Sequence, residues 1–277
     1  MKGSGASIKR ALLIICIISV VLYCVVPFLW QMITSVRPST ELSYFKSLLP
    51  EHYTFEHYIN VFKGKPFERY IINSVVIAVA TTTFCVLIGA LAAYALANMK
   101  IKGKKIFLAF TLVVSMFPQI SIVTSLYKTF SELSLLNTYT GLVLAYIALN
   151  LPLSIWIQTS FFKEIQYSLI EAAKVDGCTS IHTLIKIIMP IAIPGMFAAA
   201  ILIFISSWNE FLFALTFTSN IKTQTVPVGI ANLPVKYFVP WGDMAAASII
   251  VTIPLIAIVF VFQKNIIQGL SAGSVKG

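Results

Sequence analysis

The heptapeptide Glu171-Ala172-Ala173-Lys174-Val175-Asp176-Gly177 stands between two long apolar runs, about 139–162 and 191–215. Ile165, Leu169, Ala172 and Ala173 recur at helical spacing on one side of it. Asp176-Gly177 reads as a stop, with Gly177 suited to the left-handed residue just past a helix end. Thr179 or Ser180 is placed to cap a second helix. Ile181, Leu184, Ile185 and Ile188 then form an amphipathic stripe, and Pro190 opens the next apolar run. The spacing predicts two short helices meeting at a bend. Alanines and a glycine let a second surface approach the backbone closely, and Glu171 is near enough to that surface to pair with a basic or hydroxyl group.

Outward from the heptapeptide the chain is apolar. Of 277 residues, 58% are hydrophobic and 11% charged, against roughly 25% charged in a soluble domain. Mean hydropathy is +0.89. A bilayer core about 30 Å thick needs roughly 20 apolar residues in a helix. Six segments meet that length: 11–33, 71–98, 106–127, 139–162, about 191–215 and about 245–263. The first follows Lys9-Arg10 as a signal peptide would, but it is too long and lacks a small-residue cleavage site, so it reads as a span. The whole chain, 1–277, reads as one transmembrane domain, with the loop 163–190 between spans four and five and a tail 264–277.

The basic residues orient it. Lys2, Lys9, Arg10, Lys100, Lys102, Lys104, Lys105, Lys163, Lys174, Lys186, Lys264 and Lys276 fall on one side, twelve of the 20 Lys and Arg, leaving eight on the other. The richer side also has the shorter loops, so it is the cytoplasmic one, with both termini inside. The net charge of +10 belongs to this pattern and not to nucleic-acid binding, since no aromatic–basic interleaving occurs. The outer loop 34–70 holds a stretch near helical spacing, 53–62, that fits the membrane surface.

Several functions are excluded by what the spans lack. No Asp, Glu, Lys, Arg or His falls near the middle of any span, where an ion-driven transporter carries its coupling groups. Glu210, the nearest case, is expected at the outer rim of span five. No phosphate-binding GxxxxGK[ST] loop, HExxH or nucleophile elbow occurs. Cys16, Cys24, Cys85 and Cys178 form no CxxC pair and read as small hydrophobes; His52, His57 and His182 lack metal spacing, and no metal site is expected. The polar groups within spans are neutral: Asn73, Ser74, Thr81, Thr82, Thr83, Ser115, Gln119, Asn150 and Ser154. They suit an uncharged, hydroxylated solute, or interhelical hydrogen bonds worth about 0.6 to 2 kcal/mol each. Pro118 and Pro152 are expected to kink their spans. Energy for active transport must enter from another chain.

The arrangement Glu171-Ala172-Ala173, then Gly177, then Ile187 and Pro190, in an inside loop before span five, resembles the EAA motif of the membrane subunits of binding-protein-dependent ABC importers. Met189 stands where that family usually has leucine, a volume-conserving change. Trp208-Asn209-Glu210-Phe211, Val226-Pro227-Val228-Gly229 and the ending 269–277 are similar to the carbohydrate branch, in particular the six-span second permease subunit of maltose-type transporters. The resemblance covers essentially the whole chain. It implies an all-α integral membrane protein with the type I ABC importer permease fold, six transmembrane helices and cytoplasmic coupling helices, in a bacterial or archaeal cell membrane. It implies a transport subunit that is not itself an enzyme. Its partners would be a second homologous permease, two ATP-binding subunits that carry the ATP and Mg, and an extracellular or periplasmic solute-binding protein. It would carry no cofactor and bind no nucleic acid, and its solute would be a disaccharide or oligosaccharide. Glu171, Ala172, Ala173, Asp176 and Gly177 would make the ATPase contact, with Ser274, Val275, Lys276 and Gly277 reaching between the ATPases. Asn73, Gln119, Asn150 and Asn209 are the candidates for the sugar path. A secondary sugar transporter would instead show buried ionisable groups or internal repeats. A permease for amino acids, phosphate or polyamines would share the EAA loop. A membrane-embedded enzyme would show a nucleophile–base pair or a metal cluster.

Overall fold

A computed structural model describes residues 3–44, 47–63, 66–233 and 239–271, with side chains placed for all of these except 3–8, 43 and 264–271. Among the described residues the chain is helical and carries no strand. In order, the helices are α1 (Gly3–Ser35), α2 (Ser39–Ser43), α3 (Glu56–Phe62), α4 (Phe67–Asn98), α5 (Lys104–Ser115), α6 (Gln119–Glu132) and α7 (Tyr139–Glu164). There follow α8 (Tyr167–Val175), α9 (Ser180–Thr183), a π turn (Leu184–Ile188), α10 (Met189–Trp208), α11 (Leu212–Phe217), α12 (Val226–Ala231) and α13 (Trp241–Ser271). Among the described residues, five helical stretches are long and apolar enough to cross a membrane, and α5 with α6 makes a sixth if counted together.

The chain divides into two compact units. The first comprises Met1–Lys65 and Ile230–Ile253. Its α1 is apolar and exposed from Leu12 to Val26, so one chain leaves that stretch for lipid or another subunit to cover. The outer stretch expected to be helical does form α3, which buries His57 and Val61. The His57 ring is a junction: Nδ1 lies 2.7 Å from Asp243 Oδ1 and Nε2 lies 2.9 Å from the Arg37 carbonyl. Gly242 makes room for it, since a Cβ there would come within 2.2 Å of the ring.

The second unit comprises Pro66–Gly229 and Pro254–Gly277, built around α4, α7 and α10. Small residues let these helices close up. A Cβ on Gly89 would lie 2.5 Å from Ser154 Oγ, and one on Gly195 would lie 2.1 Å from the Phe161 ring. At this close approach Ser154 donates to the Cys85 carbonyl (2.7 Å), and Gln158 donates to Val86 O (3.2 Å) and Ser154 Oγ (2.8 Å). Ser154 therefore works as an interhelical donor, and Thr83 and Ser115 bond back to their own helices. Ile77, Leu142, Tyr146, Phe213 and Phe217 fill one end of the bundle, and Ala90, Ala93, Phe162, Ile170, Leu184 and Ile188 the other.

Two spans depart from the continuous helices expected of them. The third, 106–127, is broken: α5 and α6 meet at 90° across Met116–Pro118. Pro118 has no N–H to donate and its ring disfavours a helical residue before it, so the chain turns there instead of kinking. The fifth does not start at Pro190. The helix runs from Ser180 to Trp208, with the π turn inside it. The wider turn immediately precedes Met189-Pro190, where the proline ring would crowd an α-helical carbonyl four residues back. At its other end the fifth span stops at Trp208 and resumes at Leu212.

Candidate functional site

The loop between α7 and α10 folds into a bracket of short helices. After Glu164 the chain extends through Ile165 and Gln166, then winds into α8. This extended step resets the helical phase, so Ile165 does not continue the stripe of α8. The buried residues are Ile170 and Ala173, not Leu169 and Ala172, which face outward. Ile170 packs with Ala90, Ala93, Tyr94, Phe162 and Leu184, holding α8 to the ends of α4 and α7.

The end of α8 is closed as expected. Gly177 has φ +76°. Cys178 N–H donates to Ala173 O at 2.8 Å and Gly177 N–H to Lys174 O at 3.1 Å, the paired bonds of a Schellman cap. Thr179 then caps α9, accepting from the His182 N–H. The second stripe is half correct: Leu184 and Ile188 are buried, whereas Ile181 and Ile185 are exposed.

Of the five residues assigned to the ATPase contact, Glu171, Ala172, Asp176 and Gly177 are exposed on one surface. Ala173, the fifth, is buried, because α8 is rolled so that it faces the bundle. The same surface carries apolar side chains missing from the sequence reading: Val175, 87% exposed, with Tyr167, Leu169, Ile181 and Ile185. Val175 could have been found as an apolar residue out of phase with Ile170 and Ala173. Lys174 Nζ stands 5.8 Å from the Tyr167 ring centroid, over its face. No Cβ neighbour lies within 4 Å of Gly177, so its glycine serves the backbone turn and leaves open space outside. The tail residues Ser274, Val275, Lys276 and Gly277 lie outside the described residues.

The four candidates for a solute path are not brought together as one set. Asn73 is fully buried and its amide is engaged: Nδ2 donates to Gln224 O (2.7 Å) and Ile221 O (3.3 Å), and Oδ1 accepts from Tyr139 Oη (2.6 Å). Ser74 Oγ accepts from the Val226 N–H (2.9 Å), so this turn of α4 anchors the loop after α11. In this structure the Asn73 amide thus serves contacts within the chain. Asn150 is buried and donates to Tyr146 O within its own helix. Gln119 is exposed at the first turn of α6, beside the 90° break. Asn209 is exposed in the break between α10 and α11, donating to Ile205 O at 2.9 Å. Glu210 beside it is half-buried and bonds the N–H groups of Phe213 (2.9 Å) and Ala214 (3.1 Å). Among residues whose side chains are described, no group of three His, Cys, Asp or Glu is placed to hold a metal.

Residues 85–272 match the model of the family described as binding-protein-dependent transport system inner membrane component. A trehalose/maltose transport system permease protein, MalG, of Thermococcus litoralis is 43% identical over 274 residues, covering 98% of each chain. A trehalose transport system permease protein, SugB, of Mycobacterium tuberculosis is 41% identical over 260 residues, 93% of this chain and 94% of that one. In structure, the chain is similar to one from a bacterial ABC transporter involved in import of the acidic polysaccharide alginate. The TM-score is 0.79 at 21% identity, over 95% of this chain and 98% of that one, a likeness of fold.

Proposed function

The chain belongs to the family of binding-protein-dependent transport system inner membrane components, and from that membership we propose that it forms half of the path of an ATP-driven sugar importer. It is a multi-pass membrane transport subunit. The observation that carries the coupling assignment is the exposed surface of Glu171, Ala172, Val175, Asp176 and Gly177 on a bracket bolted to three spans. A force applied to α8 is passed through Ile170 and Ala173 to α4 and α7, and through the helix from Ser180 to α10.

The sugar class is supported by relatives named for trehalose and maltose and by neutral spans. The partners would be a second, similar permease, two ATPase subunits on the side of α8, and a solute-binding protein on the opposite side. The basic-residue bias supports cytoplasmic termini, which puts α8 on the ATPase side. ATP and Mg would be held by the ATPases. Their closure would draw the two coupling brackets together and swing the permeases from inward-open to outward-open. Hydrolysis would reset them after sugar enters.

The test is affinity purification of the tagged chain from its native membrane, followed by reconstitution in vesicles. The expected result is co-purification of a second permease and a P-loop ATPase, with uptake of trehalose or maltose that needs ATP and binding protein. Uptake by the chain alone, without an ATPase, would overturn the proposal in favour of a secondary transporter.

A further inference from the structure

We propose that Glu210 is a positioning residue of the permeation path: its carboxylate holds the fifth span broken after Trp208 and so keeps Phe213, which an unbroken helix would stack one turn beyond Asn209, off the exposed Asn209 side chain. Nothing in the local sequence compels a break. From Met196 to Phe217 there is neither proline nor glycine, the usual causes of a sharp interruption. The residues are apolar enough to continue as one helix.

In an uninterrupted helix the Phe213 N–H would donate to the carbonyl of Asn209, and the Ala214 N–H to that of Glu210. The side chain of Glu210 intercepts both, one with each carboxylate oxygen. Two bonds to the side-chain oxygens thus replace two helix bonds. On the other side of the break Asn209 completes α10, its backbone N–H (3.1 Å) and Nδ2 (2.9 Å) both donating to Ile205 O. The pair Asn209-Glu210 therefore closes one helix and opens the next. Leu215 N–H to Phe211 O, 2.8 Å, restores the helical pattern at once. The displaced helix α11 gains a phase of its own, which places Phe213, Ala214 and Phe217 in the cluster with Ile77, Leu142 and Tyr146.

The transport consequence rests on the permease reading; the break itself does not. With Cys16, Cys24 and Cys178 replaced by Ser and Cys85 by Ala, N209C and the exposed control S206C are labelled in purified protein with a membrane-impermeant methanethiosulfonate. The parent N209C is expected to label readily. E210A and E210Q should slow it at least fivefold while S206C stays within twofold. E210Q has the shape of glutamate and one acceptor fewer, so it carries the comparison if E210A does not accumulate. A parent that does not label, or variants that label at the parent's rate, would overturn the proposal. In the reconstituted importer with native Asn209, E210Q should lower sugar uptake at least fivefold while stimulated ATP hydrolysis stays within twofold. A fall of both in step with the amount of complex would mean a merely structural role and also overturn it. Absence of ATP-driven uptake with the unsubstituted chain would count against the importer reading, and the labelling would still decide the break.

Discussion

Gly177 and Glu210 both control where a helix ends, by different means. Gly177 does it through a backbone angle, φ +76°. A side chain with Cβ is strained there by about 1 kcal/mol, and asparagine is the best tolerated after glycine. Gly177→Ala should therefore lower unfolding stability by about 1 kcal/mol, with Gly177→Asn closer to wild type; thermal denaturation in detergent measures it. Gly177→Trp adds bulk on the open side, and uptake should fall while the protein still inserts; uptake at the normal rate would count against docking at this turn. Gly177 was legible because its signal is local: an acid, a glycine and a cap within four residues. Glu210 was not, because its long side chain acts three and four residues ahead, and a count along a continuous helix placed it at the rim.

At the scale of elements, the apolar segments were legible and their interruptions were not. The run 106–127 carries no charge on either side of Met116–Pro118, so its length and composition predict one span where α5 and α6 meet at 90°. Pro118 marked the place without giving the angle. The same limit applies to α8: spacing counted from Ile165 predicts Leu169 on the buried side, but the extended residues at 165 and 166 restart the phase and exchange Leu169 for Ile170. The contact between α4 and α7 gives a direct test. A Cβ on Gly89 meets Ser154 Oγ at 2.5 Å and Gln158 Nε2 at 2.6 Å, both on a packed helix. Gly89→Val should destabilise by about 1–3 kcal/mol, as overpacking does, read as a lower melting temperature in detergent. Thr179→Ala removes the cap of α9 and should cost about 1 kcal/mol, with faster amide exchange at His182 and Thr183 as the readout.

For the whole molecule, the informative feature is what one chain leaves uncovered. Along α1 the residues from Leu12 to Val26 are exposed, and α8 offers Val175 to its surroundings at 87% exposure. The first surface suits lipid or a second permease. The second is a small apolar ridge among Glu171, Lys174 and Asp176, which suits a protein cleft better than acyl chains. Membership of the importer family was legible in the EAA loop. The identity of the docking side chains was not, since it depends on how α8 is rolled against α4 and α7. Under the proposed coupling, motion of a separate ATPase enters through this ridge. The most direct measurement is the number of sugar molecules taken up per ATP hydrolysed in vesicles, for wild type and for Val175→Asp, a change that touches no packed side chain. Val175→Asp should leave the complex intact and lower its uptake per ATP at least tenfold. An unchanged ratio and rate with Val175→Asp would contradict that coupling.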